Sequence, residues 1–148
     1  MNRHRTTKTA AALATTLLAA AVLSGCGGDS AYCAAVKDNQ RALNSFGSAA
    51  TDVAFAKEAR AVRRIAATHP EKIGRDWTTI DTAMRGVQKA QKKAGITFDG
   101  LNDPEKRAEA DDADVEAIQK AYARFNDTAK QRKAVVEDVQ KTCDVTLK

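Results

Sequence analysis

Three cysteines, Cys26, Cys33 and Cys143, and one histidine beyond the first of them, His69, are the most reactive side chains in this 148-residue sequence. A thiol can be acylated, oxidised to a disulfide or used as a nucleophile, and the last use needs a base held beside it. His69 stands next to Pro70 in a predicted helix-to-helix turn, and no Ser-His-Asp or Cys-His constellation accompanies it. No catalytic residue is therefore expected, and the chain reads as a non-enzyme. The acidic run Asp103, Glu105, Glu109, Asp111, Asp112, Asp114 and Glu116 offers oxygen ligands, but it lacks the glycine and fixed spacing of an EF-hand loop. A solvated loop whose acids favour the positive end of the next helix explains it better, so no metal site and no cofactor are expected. Asp76 with Asp81, and Glu137 with Asp138, fall beside lysine and arginine on predicted helix surfaces, where salt bridging suffices. Tyr32 and Trp77 could line a ligand pocket, although aromatics on a helical seam more often fill a core. There is neither a glycine-rich phosphate loop nor a CxxC pair.

The N-terminal segment gives Cys26 a different role. Arg3, Arg5 and Lys8 precede an apolar run from Ala10 to Leu23 that only Thr15 and Thr16 interrupt, the pattern of a removable export signal. At about fourteen residues the run is shorter than the roughly 20 needed for a permanent span. It closes on Leu23-Ser24-Gly25-Cys26, which resembles the lipobox of bacterial lipoproteins. The resemblance implies that Cys26 Sγ carries a diacylglycerol, that cleavage falls between Gly25 and Cys26, and that the new N-terminus is acylated too. Two or three chains make anchoring durable, since each buried methylene contributes about 0.8 kcal/mol. An ordinary secretory signal with an incidental Cys26 is the alternative. The expected organisation is a signal over 1–25, a lipidated cysteine and short tether over 26–30, and a helical domain over 31–148 on the extracytoplasmic face of the cell membrane.

A formal charge of +5 raises the question of nucleic acid, but three of the 24 basic residues precede Cys26 and no acidic residue does. The rest is nearly balanced, with both signs interspersed and no positive stripe to neutralise a row of phosphates. Nucleic-acid binding is not expected.

From Ala31 onward the periodicity is helical almost throughout. A first helix, capped by Asp29 or Ser30, places Cys33, Val36, Gln40 and Leu43 on one stripe and ends at Gly47 and Ser48. A second starts near Thr51 or Asp52 and buries Phe55, Ala59, Val62 and Ala66, with Ile65 beside them. Thr68, His69, Pro70 and Glu71 spell a capping box for a third, with apolar positions Ile73, Trp77, Ile80, Met84 and Val87. That helix stops at Ala94 before Gly95. Gly74 and Gly86 weaken it unless a neighbouring helix uses the missing side chain. Residues 97–112 form a loop, with a short helix opening near Pro104. A last helix of about 28 residues carries Val115, Ile118, Tyr122, Phe125, Ala129, Val136, Val139 and Cys143 on a seam interrupted by Arg132.

Such helices bury their stripes most simply as an all-α, antiparallel, up-down-up-down bundle of about four, with Trp77, Phe55, Tyr122 and Phe125 as large anchors. In that topology the first helix begins where the last one ends. An exported chain meets an oxidising compartment, so Cys33 and Cys143 are expected to pair, the alternatives being free thiols or intermolecular bonds. The disulfide end then faces the membrane.

Tyr32-Cys33, Pro70-Glu71-Lys72-Ile73 with Asp76-Trp77, and Thr142-Cys143-Asp144-Val145 together resemble a group of small actinobacterial lipoproteins of unknown function. The resemblance implies a secreted helical domain whose ends are tied by cysteines, and it brings no catalytic residues. The expected function is a surface module that binds a protein or envelope component through a helix face or the outer loops. A lipoprotein holding a small ligand or metal in a pocket between helices is the alternative.

Overall fold

Alanine and charged residues dominate the chain after Ala31, and for alanine, lysine, arginine and glutamate helix is the outcome their propensities favour. A computed structural model describes residues 27–49 and 51–148, over 27–30 the backbone alone. The signal expected over 1–25 and the lipid site expected at Cys26 lie outside the described residues. Those described form seven helices and no strand. They are α1 Gly27–Leu43, α2 Asp52–Ala66, α3 Gly74–Ala94, α4 Phe98–Leu101, α5 Pro104–Glu109, α6 Asp112–Asn126 and α7 Ala129–Cys143. None is long and apolar enough to cross a membrane.

Residues 27–30, expected as a tether, have helical backbone. Once the packed part of α1 has nucleated, each further residue adds a hydrogen bond at little cost. Val36 and Leu43 of the expected stripe are buried, while Cys33 and Gln40 flank it and Tyr32 takes a core position. Thr51 caps α2, its Oγ1 accepting the Ala54 N–H at 3.2 Å.

The segment from Thr68 to Glu71 departs from its expected role. Thr68 Oγ1 donates to the Ile65 carbonyl at 2.7 Å and His69 takes a φ of 48°, so these residues terminate α2. The Pro70 carbonyl accepts the Gly74 N–H at 2.8 Å, and α3 starts at Gly74. Gly74 thus opens a helix instead of weakening its interior. Downstream, Trp77, Ile80, Met84 and Val87 are buried as their spacing predicts, and Gly95 ends the helix with a φ of 66°. Within the expected loop, Thr97 caps α4 and Asp103 caps α5.

The long last helix is two. Thr128 Oγ1 donates to the Phe125 carbonyl at 2.7 Å, and Arg132 Nη1 donates to that same carbonyl and to Thr128 Oγ1. Side-chain donors of this kind compete with the helical ladder, and α6 ends at Asn126. The interruption shifts the buried register, so Val135 joins Val139 and Cys143 in the core, whereas Val136 is half-buried and Ala129 exposed.

α1 packs on α2 and α7, and α3 on α2, α6 and α7. Contacts give the directions. Asp52 meets Gln91 while Arg63 meets Asp81, and Tyr32 meets Asp138 while Gly47 lies against Arg132, so each pair runs in opposite senses. Cys33 and Cys143 form a disulfide with Cα atoms 5.1 Å apart. Asp144, with φ 53°, then turns the chain back along α1, where Gln40 Nε2 donates to the Thr146 carbonyl at 3.1 Å and Val145 is buried. The structure thus establishes a small all-helical domain with its first and last helices covalently joined.

Candidate functional site

Phe55, Glu58 and Val62 recur at helical spacing along α2, so an acid occupies a stripe that otherwise consists of apolar side chains. Glu58 is fully buried. Its Oε1 accepts the Gly47 N–H at 2.9 Å, and its Oε2 is buried with no hydrogen-bond partner among the described residues. Both residues line a cleft of about 280 Å³ completed by Ala49, Phe55, Phe98, Tyr122, Phe125 and Asn126. Four aromatic side chains and one carboxyl residue therefore line the same cleft. Phe55 packs against Tyr122 and Phe125 with centroids 6.0 and 5.5 Å away, and Phe98 lies 5.7 Å from Tyr122.

Burial pushes the Glu58 carboxyl up to about 7, against the Gly47 hydrogen bond and the attraction of Arg132, both of which favour the charged form. Arg132 spends its hydrogen bonds elsewhere, on Phe125 and Thr128, and its guanidinium carbon lies 4.7 Å from the centre of the Phe125 ring. Burial also draws this guanidinium below its ordinary value, an effect opposed by Glu58. Tyr122 is pushed up to about 12, by burial first and then by the charges of Asp52 and Asp99.

The cleft has a fixed outer wall. Asp52 accepts the Phe98 N–H on Oδ1 and the Asp99 N–H on Oδ2, both at 2.9 Å, which ties the start of α2 to α4. Desolvation raises the Asp52 carboxyl, but these bonds outweigh it and hold the group below its ordinary value. The turns after α1 and α3 thereby meet at the end of the bundle away from the disulfide.

A second concavity, of about 630 Å³, runs between α3 and α6. Its floor contains Ala83, Gly86, Ala90, Ala117 and Ala121, and Lys89, Lys93, Lys120 and Arg124 stand among its walls. A Cβ built on Gly86 would meet nothing within 4 Å, so no neighbouring helix uses the missing side chain.

The side chains singled out by sequence take mostly structural places. His69 is exposed at the end of α2. In the acidic run, Asp103 and Asp111 cap helices, Asp114 pairs with Lys93 at 2.8 Å, and Glu116 pairs with Lys120 at 2.6 Å. Among the described residues no group of three or more His, Cys, Asp or Glu side chains is placed to hold a metal ion. Asp81 is buried instead of lying on the helix surface, and it is held by Arg63 at 3.4 Å and Arg85 at 3.1 Å. Tyr32 and Trp77 are core residues, Trp77 Nε1 donating to Tyr32 OH at 3.3 Å and Tyr32 OH to Asp138 Oδ2 at 2.9 Å. Tyr32 borders only a small indentation of about 30 Å³ beside Pro70 and Asp138, while Tyr122, expected as a core anchor, lines the cleft at Glu58. Glu58 was missed by sequence reasoning, although an acid placed three residues after Phe55 and four before Val62 is a signal that could have found it.

Comparison with known proteins yields no match to a family model, to a curated protein or to a solved structure, so the small disulfide-tied helical domain stands on its own geometry.

Proposed function

We propose that this chain is a lipoprotein, anchored through Cys26 on the extracytoplasmic face of the cell membrane, whose helical domain is a non-enzymatic module that docks a protein partner between α3 and α6. The anchor rests on the early positive charges, the apolar run from Ala10 to Leu23 and the closing Leu23-Ser24-Gly25-Cys26. The docking reading is carried by one observation, the indented alanine and glycine floor bordered by Lys89, Lys93, Lys120 and Arg124. Small side chains let another helix approach closely, and a basic border selects one with acidic residues on its flanks. With α1 starting at Gly27, a lipid on Cys26 would hold the disulfide end at the bilayer and leave the groove accessible along the side.

Two measurements test this. Mass spectrometry of the chain from its producing cell should find an N-terminus at Cys26 carrying diacylglycerol, and a chain that retains Met1 or a bare Cys26 thiol overturns the anchor. A photo-crosslinking side chain at position 90, in the full chain in its own envelope, should capture a discrete protein through an acidic helical segment. Gly86→Phe, which the open space around Gly86 accommodates, should abolish that product, and joint Lys89→Glu and Arg124→Glu should weaken binding of the purified partner at least about tenfold. A crosslink indifferent to both changes overturns the docking site.

A further inference from the structure

The cleft around Glu58 is separate from the α3/α6 groove, and its chemistry is more specific. A carboxyl group with one oxygen engaged by a backbone N–H and the other unpaired lacks one donor and, when ionised, one positive charge. Desolvating a charge in this way is costly unless a partner supplies both. The cleft is lined by Phe55, Phe98, Tyr122 and Phe125, aromatic rings that attract cations, and the Phe125 ring already holds the Arg132 guanidinium 4.7 Å from its centre. Asp52 and Asp99 add negative potential from the α2 and α4 side, while Arg132 contributes the opposing positive charge from α7. Arg132 makes no hydrogen bond to Glu58, its Nη1 being committed to Phe125 and Thr128.

We propose that the cleft is a binding site for a small soluble primary amine in its ammonium form: Glu58 Oε2, closed to solvent in this structure, turns toward the ligand to accept its N–H, and the charge lies beside the rings of Phe55, Phe98 and Tyr122. A volume of about 280 Å³ accommodates an amine with a short alkyl chain and little more. A primary amine fits better than a quaternary ammonium because Oε2 needs a donor, which a quaternary centre lacks. No bond is made or broken in the process. The ligand stabilises Glu58 in its ionised form, so binding strengthens as pH rises through the range in which that carboxyl loses its proton and the amine keeps its own.

The Gly47 amide, bonded to the other carboxyl oxygen, is the natural reporter. The full chain in detergent at about pH 8 is titrated with n-butylamine and followed by the amide NMR signal of Gly47. A saturable shift is expected, with a dissociation constant on the order of 1 mM or below. Tetramethylammonium should bind at least about tenfold more weakly, and n-butanol should not shift the signal saturably. Glu58→Gln keeps an acceptor for Gly47 but loses the charge, and binding should fall at least about tenfold in a protein that still shows a folded spectrum. Phe98→Ala, on the half-buried α4 wall, should weaken binding without unfolding the domain. The absence of a saturable shift, equal binding of n-butanol, or retention of affinity in Glu58→Gln overturns the proposal. None of these outcomes bears on Cys26 or on the α3/α6 groove.

Discussion

Gly47 and Glu58, eleven residues apart, are joined by a 2.9 Å hydrogen bond from the Gly47 N–H to Glu58 Oε1, and this bond links the turn after α1 to the middle of α2. Gly47 has a φ of 82°, which admits glycine far more readily than other residues. A Cβ there would also come within 2.8 Å of Arg132 Nε. One side of the cleft therefore depends on a residue with no side chain.

The carboxyl at Glu58 makes stability depend on pH. In the unfolded chain it titrates near its ordinary 4.5, and in the folded domain at about 7. Between those values the folded state holds a proton that the unfolded state has released, so stability falls as pH rises through the window and stays low above it. Arg132 from α7, the charged group that acts on it, and Tyr122 across the cleft keep their charge states through this window. Glu58→Gln should remove the slope and leave the variant more stable than the parent at pH 8, by on the order of 3 kcal/mol. Urea unfolding at pH 5 and pH 8 measures this, and parallel curves for the two proteins would refute it.

Gly47→Ala and Gly86→Ala should act in opposite directions. The first meets both a disfavoured φ and the Arg132 side chain and should cost at least about 1 kcal/mol. The second enters open space inside α3 and should gain roughly 0.5–1 kcal/mol from helix propensity. Thermal unfolding of the pair side by side decides the matter.

Cys33→Ser with Cys143→Ser should cost roughly 4–5 kcal/mol, because the bond closes a loop with a sequence separation of 110. Unfolding midpoints with and without a reductant should reproduce the difference in the parent chain and show none in the double variant.

Tyr32→Phe should destabilise by roughly 1–3 kcal/mol. The substitution takes from Trp77 Nε1 its 3.3 Å acceptor and from Asp138 Oδ2 its 2.9 Å donor, while the ring remains in place against Trp77. Tryptophan fluorescence should respond along with the unfolding midpoint, since the indole N–H loses its partner.

Spacing alone was enough for several elements. Trp77, Ile80, Met84 and Val87 recur every three or four residues, and they are buried on one face of α3 because a helix repeats every 3.6 residues. The stop at Gly95 is equally local, since a left-handed residue there closes the helix wherever it lies. The pairing of Cys33 with Cys143 was legible too, because helices packed in opposite senses bring the chain's ends together.

Other features depended on partners distant in sequence. The break between α6 and α7 is set by Arg132 and Thr128 reaching the Phe125 carbonyl, and a continuous apolar seam conceals it. Thr68 had the composition of a cap for α3, yet its hydroxyl serves Ile65, because side-chain donors go to whichever carbonyl the fold leaves open. The aromatic cleft unites residues from the turn after α1 with α2, α4 and α6, and Glu58 acquires its unusual proton affinity only once those elements exclude water from it. Periodicity by itself determined which faces turn inward, since that is a property of one helix. What stands opposite each face, and therefore where a charge is stranded and a ligand could be held, was decided by packing between helices.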